Sequence, residues 1–231
     1  MTRNPARLRA RPANVALSDA AQAGLHPLRL DGARDGLLYV PHSCSGSTPA
    51  PLVLSLHGAG GRAQHGIELL QRLADSSGFV VLAPDSRART WDVITRGYGP
   101  DISFIDRALT ETFRRCRISP TGIAIGGFSD GASYALSVGL ANGELFRAVL
   151  AYSPGFAAPP VVEGDPEIFI SHGTRDDVLP IDRCSRRIVQ ELRRGRRRVT
   201  FREFDGAHEL PPAVAAEGVE LFLKDIQACA G

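Results

Sequence analysis

Cysteine is scarce in this 231-residue chain, and its four copies are too scattered to staple it. Cys44, Cys116, Cys184 and Cys229 form no C-x-x-C pair, so neither a structural zinc nor a dithiol redox motif is expected. Reduced thiols are expected instead, and with them a cytoplasmic location. An excess of one charge is missing too: 27 Lys and Arg face 25 Asp and Glu, a formal net charge of +2. That balance favours neither nucleic acid nor an anionic membrane as a partner. The densest basic run, Arg193, Arg194, Arg196, Arg197 and Arg198, has no interleaved aromatic on which a base could stack. It reads as a solvated helix end. No apolar stretch is long enough to cross a bilayer. The Arg-rich segment from Met1 to Leu17 lacks the apolar core of a secretory signal.

What is present is a set of short apolar runs. Leu52–Leu56, Phe79–Ala83, Ile123–Ile125, Ala148–Tyr152 and Ile168–Ile170 are near-continuous and bounded by Pro, Gly or His. Central parallel strands need that composition because helices cover both of their faces. Val199–Phe204 alternates more and reads as a strand nearer an edge. Helical stripes lie between the runs: Ile67, Leu70, Leu73 and Ala74; Ile102, Ile105, Leu109 and Phe113, with Asp101 expected as N-cap; Ala132, Ala135, Leu136 and Leu140; Ile181, Ile188 and Leu192; Val214, Val219, Leu221 and Phe222. This alternation predicts an α/β fold with a mostly parallel, doubly wound sheet. An N-terminal hairpin is expected from Leu28–Leu30, a turn at Asp31-Gly32, and Leu37–Val40. Residues 1–23 are expected to form a loose arm and residues 24–231 a single domain.

Ligand-binding loops in such sheets follow the carboxyl ends of strands. After Ile123–Ile125 comes Gly127-Phe128-Ser129-Asp130-Gly131, of the form G-x-S-x-G. Between a strand and a helix, that pentapeptide holds its serine on a sharp turn with the hydroxyl exposed. After Leu52–Leu56 comes His57-Gly58-Ala59-Gly60-Gly61, whose glycines let backbone N–H groups face a ligand. Such a loop can supply one oxyanion donor, and the residue after the nucleophile the other. The candidate donors are the N–H groups of Ala59, with Gly60 as the alternative, and of Asp130. After Ile168–Ile170 come Asp176 and Asp177. Either could orient a histidine, and Asp176 is preferred over Asp177, which could instead serve as a loop carboxylate or helix cap. After Val199–Phe204 comes His208, the candidate base. The order Ser129, Asp176, His208 is that of α/β-hydrolases and differs from the orders in chymotrypsin and subtilisin. His57 and His172 open glycine turns and are expected to be structural hydrogen-bonders. A metal site built from the histidines is not expected.

These motifs jointly resemble α/β-hydrolase esterases. They are Leu56–Gly61, Gly126–Ala132, His172–Pro180 and Gly206–Glu209, joined by Arg34–Pro41 and Asp101–Ile105. The resemblance covers about residues 24–228 and is nearest the phospholipase/carboxylesterase and polyhydroxybutyrate-depolymerase-like group. It implies an α/β-hydrolase fold and a serine carboxylesterase that acts on small to medium acyl esters through an acyl-enzyme. It also implies that the acid is the first Asp of the His-Gly-x-x-Asp motif, Asp176. No cofactor is implied, and the partner is a small-molecule ester. A lysophospholipase, an acyl thioesterase and a noncatalytic small-molecule receptor share the pattern. Trp91, Tyr98 and Phe156 follow predicted strands and are candidates to line the cleft. The short stretch between Ala148–Tyr152 and Ile168–Ile170 leaves no room for a large cap domain.

Overall fold

The computed structural model describes residues 4–12, 20–46, 48–95 and 97–228. Its frame is one eight-stranded sheet in the order β1-β2-β4-β3-β5-β6-β7-β8. The strands are β1 (Gly24–Pro27), β2 (Gly36–Val40), β3 (Ala50–Leu56), β4 (Val80–Pro84), β5 (Ile118–Phe128), β6 (Ala148–Tyr152), β7 (Glu167–Gly173) and β8 (Val199–Phe204). β1 and β2 pair antiparallel, β2 meets β4 antiparallel, and every other pairing is parallel.

Among the described residues there are six α-helices, α1 (Ala63–Ser77), α2 (Asp92–Thr95), α3 (Pro100–Arg115), α4 (Asp130–Leu140), α5 (Ser185–Arg194) and α6 (Pro212–Ala228), and all but the short α2 pack on the sheet. The strand alternation decides which side chain meets which layer. Val53, Val81, Ala124, Leu150 and Phe169 pack with Ile67 and Ala74 of α1 and Val219 and Phe222 of α6. Leu54, Leu82, Ile125, Val149 and Ile170 pack with Ile105 of α3, Leu136 of α4 and Ile188 of α5. Both faces of the central strands are therefore buried, as their unbroken apolar runs require. No helix is placed in residues 153–166 between β6 and β7, so no large cap stands over the sheet. Among the described residues no helix is long and apolar enough to cross a membrane.

Three local expectations change. The N-terminal hairpin exists, but its first strand is Gly24–Pro27 rather than Leu28–Leu30. Residues 28–35 form a wider loop, held where the Asp35 carboxylate accepts the N–H groups of Arg29 and Leu30 at 2.7 and 3.0 Å. Asp101 lies within the first turn of α3 rather than capping it; Gly99 is at the cap position, and the Asp92 side chain accepts the Gly99 and Asp101 N–H groups at 2.9 Å each. Residues 4–12 are not loose. Ala6 and Leu8 are fully buried, Asn142 bonds the Leu8 N–H and the Ala6 carbonyl at 2.8 Å each, and Asp106 accepts the Arg9 and Ala10 N–H groups. Of the rest of the expected arm, residues 20–23 are described, with the Ala21 N–H donating to the Arg115 carbonyl at 2.9 Å, and residues 1–3 and 13–19, like Cys229, lie outside the described residues.

Candidate active site

The four loops singled out by their motifs converge at the carboxyl ends of β3, β5, β7 and β8. Ser129 stands between β5 and α4 with φ 59° and ψ −120°, a conformation that non-glycine residues rarely adopt. Such a backbone costs about 1–3 kcal/mol and persists only where its surroundings hold it. Here the Ser129 N–H donates to the Tyr152 carbonyl of β6 at 2.9 Å. A β carbon at Gly127 would come within 2.6 Å of the Leu56 carbonyl oxygen, and one at Gly131 would overlap that same oxygen. The two glycines of the pentapeptide thus let β3 pass close beneath the turn, which pushes the serine outward.

The Ser129 hydroxyl lies 2.9 Å from His208 Nε2, and His208 Nδ1 lies 2.6 Å from Asp176 Oδ2. The carboxylate is acceptor-only, so Nδ1 carries the proton and Nε2 is left to accept from the serine. Asp176 is buried, whereas Asp177 is exposed to solvent. Asp176 Oδ1 accepts the Val178 and Leu179 N–H groups at 3.0 and 2.7 Å. Burial pushes the Asp176 carboxyl up, but the Leu179 N–H and the neighbouring His208 and His172 outweigh it and hold the group below the usual carboxylate range.

Beside Ser129 runs the glycine loop. The Gly60 N–H is engaged by the Arg89 carbonyl at 2.8 Å and that of Gly61 by the Gly58 carbonyl at 3.0 Å. Ala59 borders the cavity that holds Ser129 and precedes these two engaged amides. Asp130 is the first residue of α4, where backbone N–H groups have no partner within the helix. Its side chain turns to Thr90, whose hydroxyl donates to Asp130 Oδ2 at 2.5 Å. His57 is fully buried: its Nδ1 donates to the Gly58 carbonyl at 2.8 Å and its Nε2 accepts the Ser86 N–H at 3.0 Å. Burial lowers the His57 pKa, which favours the neutral ring that this pattern needs.

A cavity of about 1030 Å³ opens from Ser129 and His208. It runs between the glycine loop and α1 on one side and the segment after His208 on the other. Phe128, Leu69, Leu73 and Leu210 give it apolar walls, and Glu68 and Arg72 a polar rim. None of the three expected pocket aromatics lines it. Trp91 is fully buried, stacks on Tyr134 at 5.1 Å and donates its indole N–H to the His57 carbonyl at 2.9 Å. Tyr98 packs toward Tyr134 and donates to the Ala158 carbonyl at 2.7 Å. Phe156 is half-buried and stands outside the cavity lining. Sequence reasoning missed the α1 wall because it read Leu73 only as core. The spacing of Leu69 and Leu73, one turn apart beside the buried stripe, was the available signal.

A model of the phospholipase/carboxylesterase family matches residues 101–225. Over 179 residues the chain is 26% identical to a probable feruloyl esterase C of Aspergillus oryzae, covering 71% of this chain and 65% of that protein. The chain thus spans just under two thirds of that relative's length. It is also 30% identical over 156 residues to a bifunctional acetylxylan esterase/xylanase, XynS20E, of Neocallimastix patriciarum, covering 63% of this chain and 22% of the relative. Among solved structures, the fold matches a truncated carbohydrate esterase from gut microbiota with a TM-score of 0.71 at 16% identity, covering 94% of this chain and 99% of that one. Esterase PE8 matches with a TM-score of 0.66 at 22% identity, covering 84% of this chain and 99% of that one. These likenesses show an α/β-hydrolase fold.

Proposed function

Because the chain belongs to the phospholipase/carboxylesterase family, we propose that it hydrolyses carboxylic esters through an acyl-enzyme on Ser129. The observation that carries this reading is the unbroken hydrogen-bond chain from Asp176 through His208 to Ser129, with links of 2.6 and 2.9 Å. His208 Nε2 takes the Ser129 proton as Oγ attacks the ester carbonyl carbon. The Ala59 and Asp130 N–H groups receive the developing oxyanion, and each such donor is typically worth about 3–4 kcal/mol in the transition state. His208 then gives the proton to the leaving alcohol. Water, deprotonated by His208, releases the acid and restores Ser129. Asp176 stays ionised throughout, since it holds the imidazolium without taking its proton.

Ser129, Ala59 and His208 all line the cavity, so the ester binds there. Feruloyl and acetyl esters, named in the relatives, are the first substrates to offer. Free thiols at Cys44, Cys116 and Cys184 support a reducing, cytoplasmic setting.

The test is covalent labelling by a fluorophosphonate together with turnover of p-nitrophenyl acetate and methyl ferulate. Wild type labels and turns over at least one ester, and Ser129→Ala does neither while keeping its circular dichroism. Labelling without turnover of any ester or thioester would favour a receptor instead.

A further inference from the structure

A second buried imidazole stands behind Asp176. His172, at the end of β7, has its side chain fully buried. Its Nε2 lies 3.0 Å from Asp176 Oδ2 and 2.7 Å from the Leu179 carbonyl oxygen. Its Nδ1 lies 2.6 Å from Ser185 Oγ, the hydroxyl of the first residue of α5. Both oxygens near Nε2 can only accept, so Nε2 carries a proton. Burial lowers the His172 pKa and favours the neutral ring, although the Leu179 carbonyl and Asp176 oppose it. In a neutral ring Nδ1 is then an acceptor, and the Ser185 hydroxyl donates to it.

Asp176 accordingly receives three hydrogen bonds and stands beside a fourth N–H. Oδ1 takes the Val178 and Leu179 N–H groups, Oδ2 takes that of His208, and the His172 Nε2–H, donated to the Leu179 carbonyl, lies 3.0 Å from the same Oδ2. A residue that served only to fill space under the loop would not need a polar partner at each ring nitrogen. Resting on the Ser129–His208–Asp176 reading, we infer that His172, fixed by Ser185, is a positioning residue that sets the direction and basicity of the Asp176 carboxylate.

The physical consequence follows from proximity. The His172 N–H dipole beside Oδ2 draws negative charge away from the bond to His208. Removing the His172 donor leaves more of that charge facing His208 and favours its protonated form. The other charged and titratable groups around His172 are Glu203, its partner across the β7–β8 ladder, Arg186, which pairs with Glu203, and Cys184 at the start of α5. None of these changes in the variants proposed.

The experiment is the pH profile of kcat/KM for p-nitrophenyl acetate. In His172→Leu the acid limb moves up by about half to one pH unit, and the plateau kcat falls about tenfold with KM within about twofold. His172→Gln, whose side-chain amide can still donate toward Oδ2, restores the limb most of the way. Ser185→Ala leaves the imidazole but frees Nδ1, and moves the limb in the same direction by less. Coincident limbs in all three variants would overturn the inference. Should His172→Leu fail to fold, long-range 1H–15N correlation on the wild type decides alone: the inference requires His172 as the neutral Nε2–H tautomer. A protonated ring or the Nδ1–H tautomer there overturns it. That measurement needs no turnover, so it separates failure here from failure of the esterase reading.

Discussion

The indole N–H of Trp91 donates to the His57 carbonyl at 2.9 Å, tying the loop after β4 to the first residue of the glycine loop. The tie is buried: Trp91 is closed to solvent, tilted against the His57 ring at 4.8 Å and stacked on Tyr134. Tyr134 in turn donates to Asp92 at 2.8 Å, so the loop that presents Ala59 rests on a core of aromatic rings and carboxylates.

Trp91→Phe keeps a ring but removes this donor and some volume. A buried carbonyl left without a partner costs about 1–3 kcal/mol, and the smaller ring adds a cavity term of about 1 kcal/mol or more. Urea unfolding is expected to show a loss of about 2–4 kcal/mol. kcat is expected to fall about tenfold as the proposed oxyanion donor at Ala59 loses its alignment. A change in KM alone, at unchanged stability, would return Trp91 to the substrate pocket.

The two adjacent acids give the sharpest contrast. Asp176 Oδ2 lies 2.6 Å from His208 Nδ1, while Asp177, one residue on, is exposed. Asp176→Asn presents an amide where the imidazole needs an acceptor and favours the wrong tautomer, which costs about 10⁴ in kcat in a related arrangement. A loss of about 10³–10⁴ is expected here, against a change within about twofold for Asp177→Asn. Stopped-flow and steady-state assays of both variants on one ester check this, and the reverse ranking would exchange the two residues.

Much of this geometry was readable because strand ends carry motifs. The runs at Ile123–Ile125, Ile168–Ile170 and Val199–Phe204 had to be strands of one sheet, and the loops after parallel strands share an edge. That places Ser129, Asp176 and His208 on one side without any knowledge of distance. The aromatics were less legible. Trp91, Tyr98 and Phe156 stand in loops by sequence, but burial is a property of the folded neighbourhood, and Tyr134 of α4 draws Trp91 inward. The first strand was displaced for a related reason. Leu28 and Leu30 look like strand residues, yet Asp35 claims the N–H groups of Arg29 and Leu30, and those groups are then lost to a sheet ladder. The seating of residues 4–12 depends on Asn142 and Asp106, more than ninety residues away, and no local pattern announces such bonds.

Asp101 links stability to pH. Its carboxylate accepts the Arg87 and Asp92 N–H groups from the segment that carries Trp91. Burial, reinforced by the nearby Asp92 charge and opposed by those N–H groups, pushes its pKa up from 3.8 to about 6. The folded state therefore holds this proton more tightly than the unfolded chain. Its contribution is fully present below about pH 4 and is lost as pH rises through about 6, a change on the order of 2–3 kcal/mol. His57 and His172 act the other way, because burial lowers both and acidification below their ordinary range favours the unfolded chain. Asp176 is held below the usual range, so its contribution is lost only at more acid pH. The wild-type profile alone mixes these terms, and the variant isolates one of them. Asp101→Asn removes the titration, so the stability of wild type minus that of Asp101→Asn should grow as pH falls from 7 to about 4.5. Urea unfolding at four or five pH values measures it, and a difference that stays flat across that window would show that the buried carboxyl keeps its ordinary pKa.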